Sequence, residues 1–414
     1  MTQPREHDLV VYGASGYVGA LVAGHLAEHA PDGLRIGLAG RSLERLTATR
    51  RQLPERAGDW PLLLADSADE RALAALAGGT RVLITTVGPY LRYGMGVVQA
   101  CARAGTHYAD LTGELLFHRE AIDRFDGPAR DRGARIVHSC GYDSIPSDLG
   151  VLMLHERAAA DGAGGLTDVG LTATARGGLS GGTIDSMRAQ FEAVQQDPAR
   201  SRLLRDPFGL SPDRAAEPTG RQPSSAPRPG RRPDGTWTAP FVMASYNTRI
   251  VRRSNALLDF GYGQDLRYGE VMGMGAGPGG AVAAAGMTAV LTGLAVGFRV
   301  APLRAVLDRV LPRPGRGPSA RSRARGWFRM DIDAGTDSGR RFRATVSGRG
   351  DPGYAATAVM LGQSGLCLAL DGERLPERFG SLTPAVGLGG VLVDRLRAAG
   401  HGYDVTRLAP PVSA

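Results

Sequence analysis

Residues 9–19 read LVVYGASGYVG, an apolar run (Leu9–Tyr12) that ends at once in glycines spaced G-x-x-G-x-x-G. The run suits a buried strand, and Val18, Leu21, Val22, His25 and Leu26 then recur at helical spacing. Strand, glycine turn and helix form the opening unit of a dinucleotide-binding fold. Gly13 permits the sharp turn, Gly16 lets the backbone approach a pyrophosphate, and Gly19 lets the helix lie close on the strand. Ala14, Ser15, Tyr17 and Val18 complete a cradle of backbone amides at a helix N-terminus, where phosphate charge is favoured. A turn without a ligand is the plainer alternative.

The end of the second strand, Leu34–Ala39, discriminates between cofactors. Enzymes that use NAD place a carboxylate there for the ribose 2′-hydroxyl. This chain has Gly40, Arg41 and Ser42. A guanidinium forms charge-assisted bonds to a 2′-phosphate and Ser42 adds a hydroxyl, so the pattern favours NADP(H). Asp66 follows the third strand, Leu62–Ala65, where a carboxylate meets an adenine edge; a helix cap at Asp66 or Ser67 accounts for it equally. The fourth strand, Val82–Val87, ends in Gly88-Pro89-Tyr90, which puts Val87, Gly88 and Pro89 beside the nicotinamide ribose.

Helical patterns at 43–53, 70–76, 96–103 and 119–132 alternate with these strands and with Tyr108–Leu111 and Arg135–Ser139. The alternation predicts an α/β fold whose first 150 residues form a Rossmann domain with a doubly wound parallel sheet. Beyond it the pattern changes. Strands are expected at 168–175, 240–252 and, as a hairpin, at 327–332 and 342–347. A helix is expected at 184–196. Residues 151–350 are thus predicted to be a second α/β (α+β) domain that carries substrate and catalysis. The Pro-, Ser- and Arg-rich stretch near 207–236 reads as a flexible loop in it. Helices at 355–370 and 390–399 in the last segment, 351–414, are expected to pack back on the first domain.

Composition excludes several chemistries. All 49 basic residues are arginine, so no Schiff-base lysine, phosphate-loop lysine or Tyr-x-x-x-Lys relay exists. The net charge is +8, yet the arginines are scattered without interleaved aromatics, which argues against nucleic acid and for an anionic small molecule or acidic partner. Cys101, Cys140 and Cys367 lack metal-ligand spacing, so no metal site is expected and reduced thiols in a cytoplasmic protein are. Residues 271–298 carry no charge and are long enough to span a bilayer, but are rich in Gly and Ala. A buried or interface helix is the first expectation there, with peripheral membrane or lipid contact and a bilayer-spanning helix as alternatives.

Taken together, the motifs YGASGYVG (12–19), AGRS (39–42), VGPYLRYG (87–94), HYADLTGE (107–114), SCGYDSIPSDLG (139–150), RGGLSGGT (176–183), VRRSN (251–255) and DPGYAATAVMLGQSGLCLALD (351–371) resemble the saccharopine dehydrogenase-like oxidoreductases. Within that family the chain is similar to the trans-acting enoyl reductases of polyketide and complex-lipid assembly. The resemblance spans nearly the whole length, except around 207–235. It implies NADPH-dependent reduction of an acyl thioester, with a polyketide synthase or acyl carrier protein as partner. The enolate oxygen then needs preorganised donors and the α-carbon a proton. Tyr90 is the first candidate donor, followed by Tyr142, Tyr93 and the Ser180–Thr183 backbone. Asp143 is a further catalytic candidate, and Asp110 and Glu114 are candidates to orient donors. Two alternatives remain open: reduction of another C=O or C=N substrate, and an NADP(H)-binding, lipid-associated protein without turnover.

Overall fold

The apolar run near the start forms β1 (His7–Tyr12), with Leu9 and Val11 packed in one hydrophobic cluster and Val10 and Tyr12 in another. A strand buried on both faces belongs inside an α/β sheet. In the computed structural model, which describes residues 5–177, 181–197, 199–223, 228–299 and 317–409, β1 lies in a fully parallel seven-stranded sheet. On one side of it stand β2 (Ile36–Gly40) and β3 (Leu62–Leu64). On the other stand β4 (Thr80–Thr85), β5 (His107–Ala109) and β6 (Arg135–Val137). The chain runs outward from β1 to β3 and then returns to place β4 beside β1. The strand order therefore reverses between β1 and β4, and a ligand crevice opens beyond their carboxyl ends, after Tyr12 and Thr85.

Helices cover both faces. Val22 and Leu26 of the 17–29 helix and Met360 and Leu361 of the 357–370 helix share a cluster with Leu9, Val11 and Ile84. Leu73, Val98, Phe117 and Phe125 meet Val10 and Leu83 on the opposite face.

The 145–160 helix leads to a second seven-stranded sheet, with β7 (Leu166–Arg176), β8 (Gly230–Arg231), β9 (Thr236–Pro240), β10 (Arg267–Ala276), β11 (Trp327–Thr336) and β12 (Arg341–Arg349). Among the described residues its only parallel pair is β7 with β10. Buried and more exposed residues alternate along β11 and β12, as expected for a sheet with one covered face. Gly150 lies so close to this sheet that a Cβ there would stand 2.3 Å from Ile332 Cδ1.

The structure departs from the sequence reading in three places. The stretch 240–252 is not one strand: β9 stops at Pro240 and a helix runs Ala244–Leu257. Its β-branched residues mislead, because the helix is buried all round from Tyr246 to Asn255 and so shows no one-sided helical period. The final segment serves both sheets. Its helix 357–370 and β13 (Gly380–Leu382) join the first, whereas β14 (Gly402–Leu408) pairs with β12 in the second. The uncharged stretch ends β10 and then forms a helix, Gly277–Arg299, that is mostly exposed rather than buried, with Val282, Val290 and Val296 facing outward.

Candidate active site

The glycine loop joins β1 to the helix Tyr17–His29. Gly13 has φ +89°, where side chains are disfavoured, and a Cβ on it would stand 2.7 Å from Val87 Cγ2. Gly19 is tighter still: a Cβ would fall 2.1 Å from the Gly13 carbonyl oxygen. Glycine at both positions therefore lets the β1 loop, the β4 loop and the helix converge. Gly16 caps this helix without a side-chain hydrogen bond, which suits the helix end to an anion.

Arg41 is exposed directly after β2. Ser42 caps the helix that follows, its Oγ accepting from the Arg45 amide at 3.3 Å. Arg45 reaches back over the glycine loop and donates to the Ser15 carbonyl at 3.3 Å. This second guanidinium escaped the sequence reading, although it stands four residues after Arg41 in a helix start. Tyr12 lies between the charges of Arg41 and Asp66, and burial together with Asp66 pushes its phenol up to about 12. Asp66 folds its own turn, accepting from the Ala68 amide at 2.9 Å, and Asp69 caps the next helix.

From Gly16, Tyr17 and Val18 a cavity of about 650 Å³ runs past Thr86, Gly88 and Pro89 to Asp143. It continues between the Gly181–Gln196 helix and the Ala244–Leu257 helix, where Met187, Phe191, Val194, Leu204 and Met243 make an apolar wall. The 181–196 helix is fastened to the first domain by polar contacts. Buried Glu114 accepts from Ser186 Oγ at 2.6 Å and from the Tyr90 and Leu91 amides at 2.8 Å. Gln190 accepts from the Leu115 amide at 2.9 Å, and Glu192 pairs with Arg92 at 2.5 Å. Of the Ser180–Thr183 nest, Ser180 lies outside the described residues; Gly181 donates its amide to Tyr354 Oη at 3.1 Å.

The three catalytic candidates part company here. Tyr90 borders the cavity, but its hydroxyl turns inward: it donates to the Thr85 carbonyl at 3.0 Å and accepts from the Leu111 amide at 3.1 Å. A hydroxyl has one proton, and this one is committed to the fold. Tyr142 is buried against Phe328 with ring centroids 5.0 Å apart, in the core of the second sheet rather than on the cavity wall. Asp143 does line the cavity. Among the described residues its carboxyl has no ion-pair partner, and burial pushes it up to about 6.

Sequence reading also missed a buried network beneath the cavity. Tyr246, on the cavity wall, meets Ser139 Oγ at 2.6 Å and His118 Nδ1 at 3.0 Å. His118 packs on His138 with centroids 4.3 Å apart and the rings tilted by 47°, and His138 Nδ1 meets Asp110 Oδ2 at 2.7 Å. Asp110 also accepts from Tyr108 Oη and from the Ser139 and Thr112 amides. Reading 240–252 as a strand had hidden the helix that delivers Tyr246. The nearby VRRSN block, with Arg249 just before it, proves to be a clip: buried Arg249, Arg252 and Arg253 donate to carbonyls of Leu204, Pro207 and Leu210 and hold the end of the 200–205 helix and the turn after it in place.

The match to known proteins follows the same division. Residues 9–137 match the family model described as the saccharopine dehydrogenase NADP binding domain. A Mycobacterium bovis trans-acting enoyl reductase is 47% identical over 98% of this chain and 99% of its own. A Mycobacterium tuberculosis protein, provisionally named a trans-acting enoyl reductase, is 50% identical with the same coverage. The chain belongs to the trans-acting enoyl reductase family. Its fold is that of saccharopine dehydrogenase (L-Glu forming) from Saccharomyces cerevisiae, with TM-score 0.58 at 13% identity over 97% of this chain and 99% of that one. The matched residues 9–137 hold β1 to β6, so the N-terminal sheet is an NADP-binding domain.

Proposed function

We propose that this protein reduces the C=C bond of an enoyl thioester with NADPH, acting in trans on an acyl chain presented by a polyketide synthase or its acyl carrier protein in the cytoplasm. The observation that carries the reading is the continuity of one cavity, from the uncapped helix N-terminus at Gly16 to Asp143 and then into an apolar chamber. Gly13 to Val18 would hold the pyrophosphate, Arg41, Ser42 and Arg45 the 2′-phosphate, Asp66 the adenine edge, and Val87 to Pro89 the nicotinamide ribose. NADPH, when bound, supplies hydride to the β-carbon of the alkene. The π pair of the C=C bond then shifts to join the α-carbon to the carbonyl carbon, and the carbonyl π pair moves onto the thioester oxygen as an enolate. The Asp143 carboxyl, raised to about 6, gives its proton to the α-carbon and is reprotonated from water. The apolar wall of Met187, Phe191 and Val194 receives the acyl chain and excludes water. Tyr90 and Glu114 brace this wall.

Two measurements test the reading. Purified protein is expected to oxidise NADPH, and not NADH, when given an α,β-unsaturated acyl thioester. Turnover of keto or imine substrates with none on enoyl thioesters would replace it with carbonyl or imine reduction. The exposed Val282, Val290 and Val296 support a peripheral lipid contact of the 277–299 helix, and co-sedimentation with lipid vesicles that is lost in a Val282→Glu/Val290→Glu variant is the expected result.

A further inference from the structure

Enolate chemistry needs a hydrogen-bond donor at the thioester oxygen as well as a proton for the α-carbon. Tyr90 does not offer one, because its proton goes to the Thr85 carbonyl. We propose that the Tyr246 hydroxyl donates to the thioester oxygen of the substrate, and that Ser139 and His118 position it for that task; the proposal rests on the enoyl-thioester reading above.

Counting protons gives the direction of each hydrogen bond. Tyr246 borders the cavity, and its oxygen has two buried neighbours, Ser139 Oγ at 2.6 Å and His118 Nδ1 at 3.0 Å. Among the described residues Ser139 Oγ bonds to nothing else, so its hydroxyl proton points at the phenol oxygen. Burial and the adjacent His138 hold His118 well below the ordinary histidine range, so its ring is neutral and carries one N–H. His118 Nε2 is buried with no acceptor near it. A proton on Nε2 would be wasted there, whereas one on Nδ1 is bonded to Tyr246. Both lone pairs of the phenol oxygen are then filled, and its own O–H has only the cavity to donate into. Two donors converging on that oxygen also make it a stronger donor as negative charge develops on the substrate.

The surroundings hold this arrangement rigidly. Asp110 fixes His138, against which His118 is packed, and also accepts from the Ser139 amide at 2.9 Å. Ser139 adopts φ +67°, a left-handed conformation rare for a side chain of its kind. Such a conformation persists only where the surroundings dictate it, and here it brings Oγ to Tyr246.

The test uses the full-length protein with NADP⁺ and a 2,4-dienoyl pantetheine thioester, whose absorption moves to longer wavelength when its carbonyl is polarised. No hydride is available, so the signal is independent of turnover. The wild-type protein is expected to show the red shift and Tyr246→Phe to lose it. In the same variant, kcat with NADPH and an enoyl thioester is expected to fall on the order of 10²-fold, with NADPH affinity retained. Ser139→Ala, which removes only one supporting hydroxyl, is expected to give an intermediate shift and guards against a folding defect in the phenylalanine variant. A Tyr246→Phe protein that keeps both red shift and turnover overturns the assignment. So does a wild-type protein that binds the dienoyl thioester without a shift yet reduces enoyl thioesters. A wild-type protein that neither binds nor reduces such thioesters overturns the enoyl-reductase reading and this one with it.

Discussion

The two ends of the cavity are built from different materials. The end proposed for the nucleotide is made of backbone: glycines that permit close approach and a helix N-terminus without a side-chain cap. The far end is made of side chains that meet across long sequence separations, such as His118 with Tyr246 and Glu114 with Ser186. A backbone site tolerates almost any neighbour but no added Cβ. A side-chain site tolerates backbone adjustment but not the loss of a single polar atom. Substitutions at the two ends should therefore fail in different ways, and the contrast is testable.

The largest effect is expected at the side-chain end. Asp143→Asn removes the one candidate carboxyl on the wall that lacks an ion-pair partner, and kcat is expected to drop by about 10²–10⁴-fold with NADPH affinity unchanged. The sign of the pH dependence follows from the raised value. The carboxyl holds its proton below about 6 and loses it above, so wild-type kcat should fall as pH rises through that point. The asparagine variant should lack this limb. An unaltered profile in steady-state NADPH oxidation from pH 5 to 9 would remove Asp143 from the mechanism.

At the backbone end, Gly19→Ala places a Cβ 2.1 Å from the Gly13 carbonyl. A loss of about 3 kcal/mol is expected, the upper range for overpacking, together with loss of NADPH binding. Gly24 in the same helix has nothing within 4 Å of its missing Cβ, so Gly24→Ala should instead stabilise by about 0.5–1 kcal/mol. Thermal melts and cofactor titration of the pair separate local crowding from a general effect of glycine removal. If both variants bind NADPH normally, the close-approach argument is wrong.

A smaller effect is expected where charge rather than space decides. Arg41→Glu and Arg45→Glu should each weaken NADPH binding by roughly 10–100-fold and leave NADH binding nearly unchanged. Equal losses for both nucleotides would show that these arginines do not read the 2′-phosphate. Tyr90→Phe should fall below this in its effect on function. It removes bonds to the Thr85 carbonyl and the Leu111 amide, so stability should fall by about 1–3 kcal/mol while turnover survives. Turnover lost at unchanged stability would restore Tyr90 as the donor.

The same contrast explains what could be read from the sequence. Gly13, Gly16 and Gly19 announce a backbone site, because their spacing is local and each glycine answers a local steric demand. The proposal for Arg41 is local in the same way, since it follows from the residue's place at the end of β2. Tyr246 was not. Its partners His118 and Ser139 lie more than a hundred residues away, and only the packing of the 244–257 helix brings them together. The Tyr142 reading failed through direction: its backbone follows β6 as expected, but its ring turns into the second sheet against Phe328. Asp143, the next residue, turns the other way and reaches the cavity.

The smallest expected effect comes from a second pair of regions, the two long apolar helices. By composition both could cross a membrane, yet 78% of the most apolar window is buried in the 352–370 helix and only 17% in the 277–298 helix. The first lies on the parallel sheet so closely that a Cβ on Gly365 would stand 2.8 Å from Leu9 Cδ1. The second carries Val290 at 59% exposure. A charge introduced by Val290→Glu meets water rather than packed atoms, so unfolding free energy should change by less than about 0.5 kcal/mol. Gly365→Val should cost about 1–3 kcal/mol through overpacking. Denaturant unfolding of the two variants measures the difference directly. A large loss at Val290 would mean that this face is already covered in solution by a second copy of the chain, and the melting temperature would then depend on protein concentration.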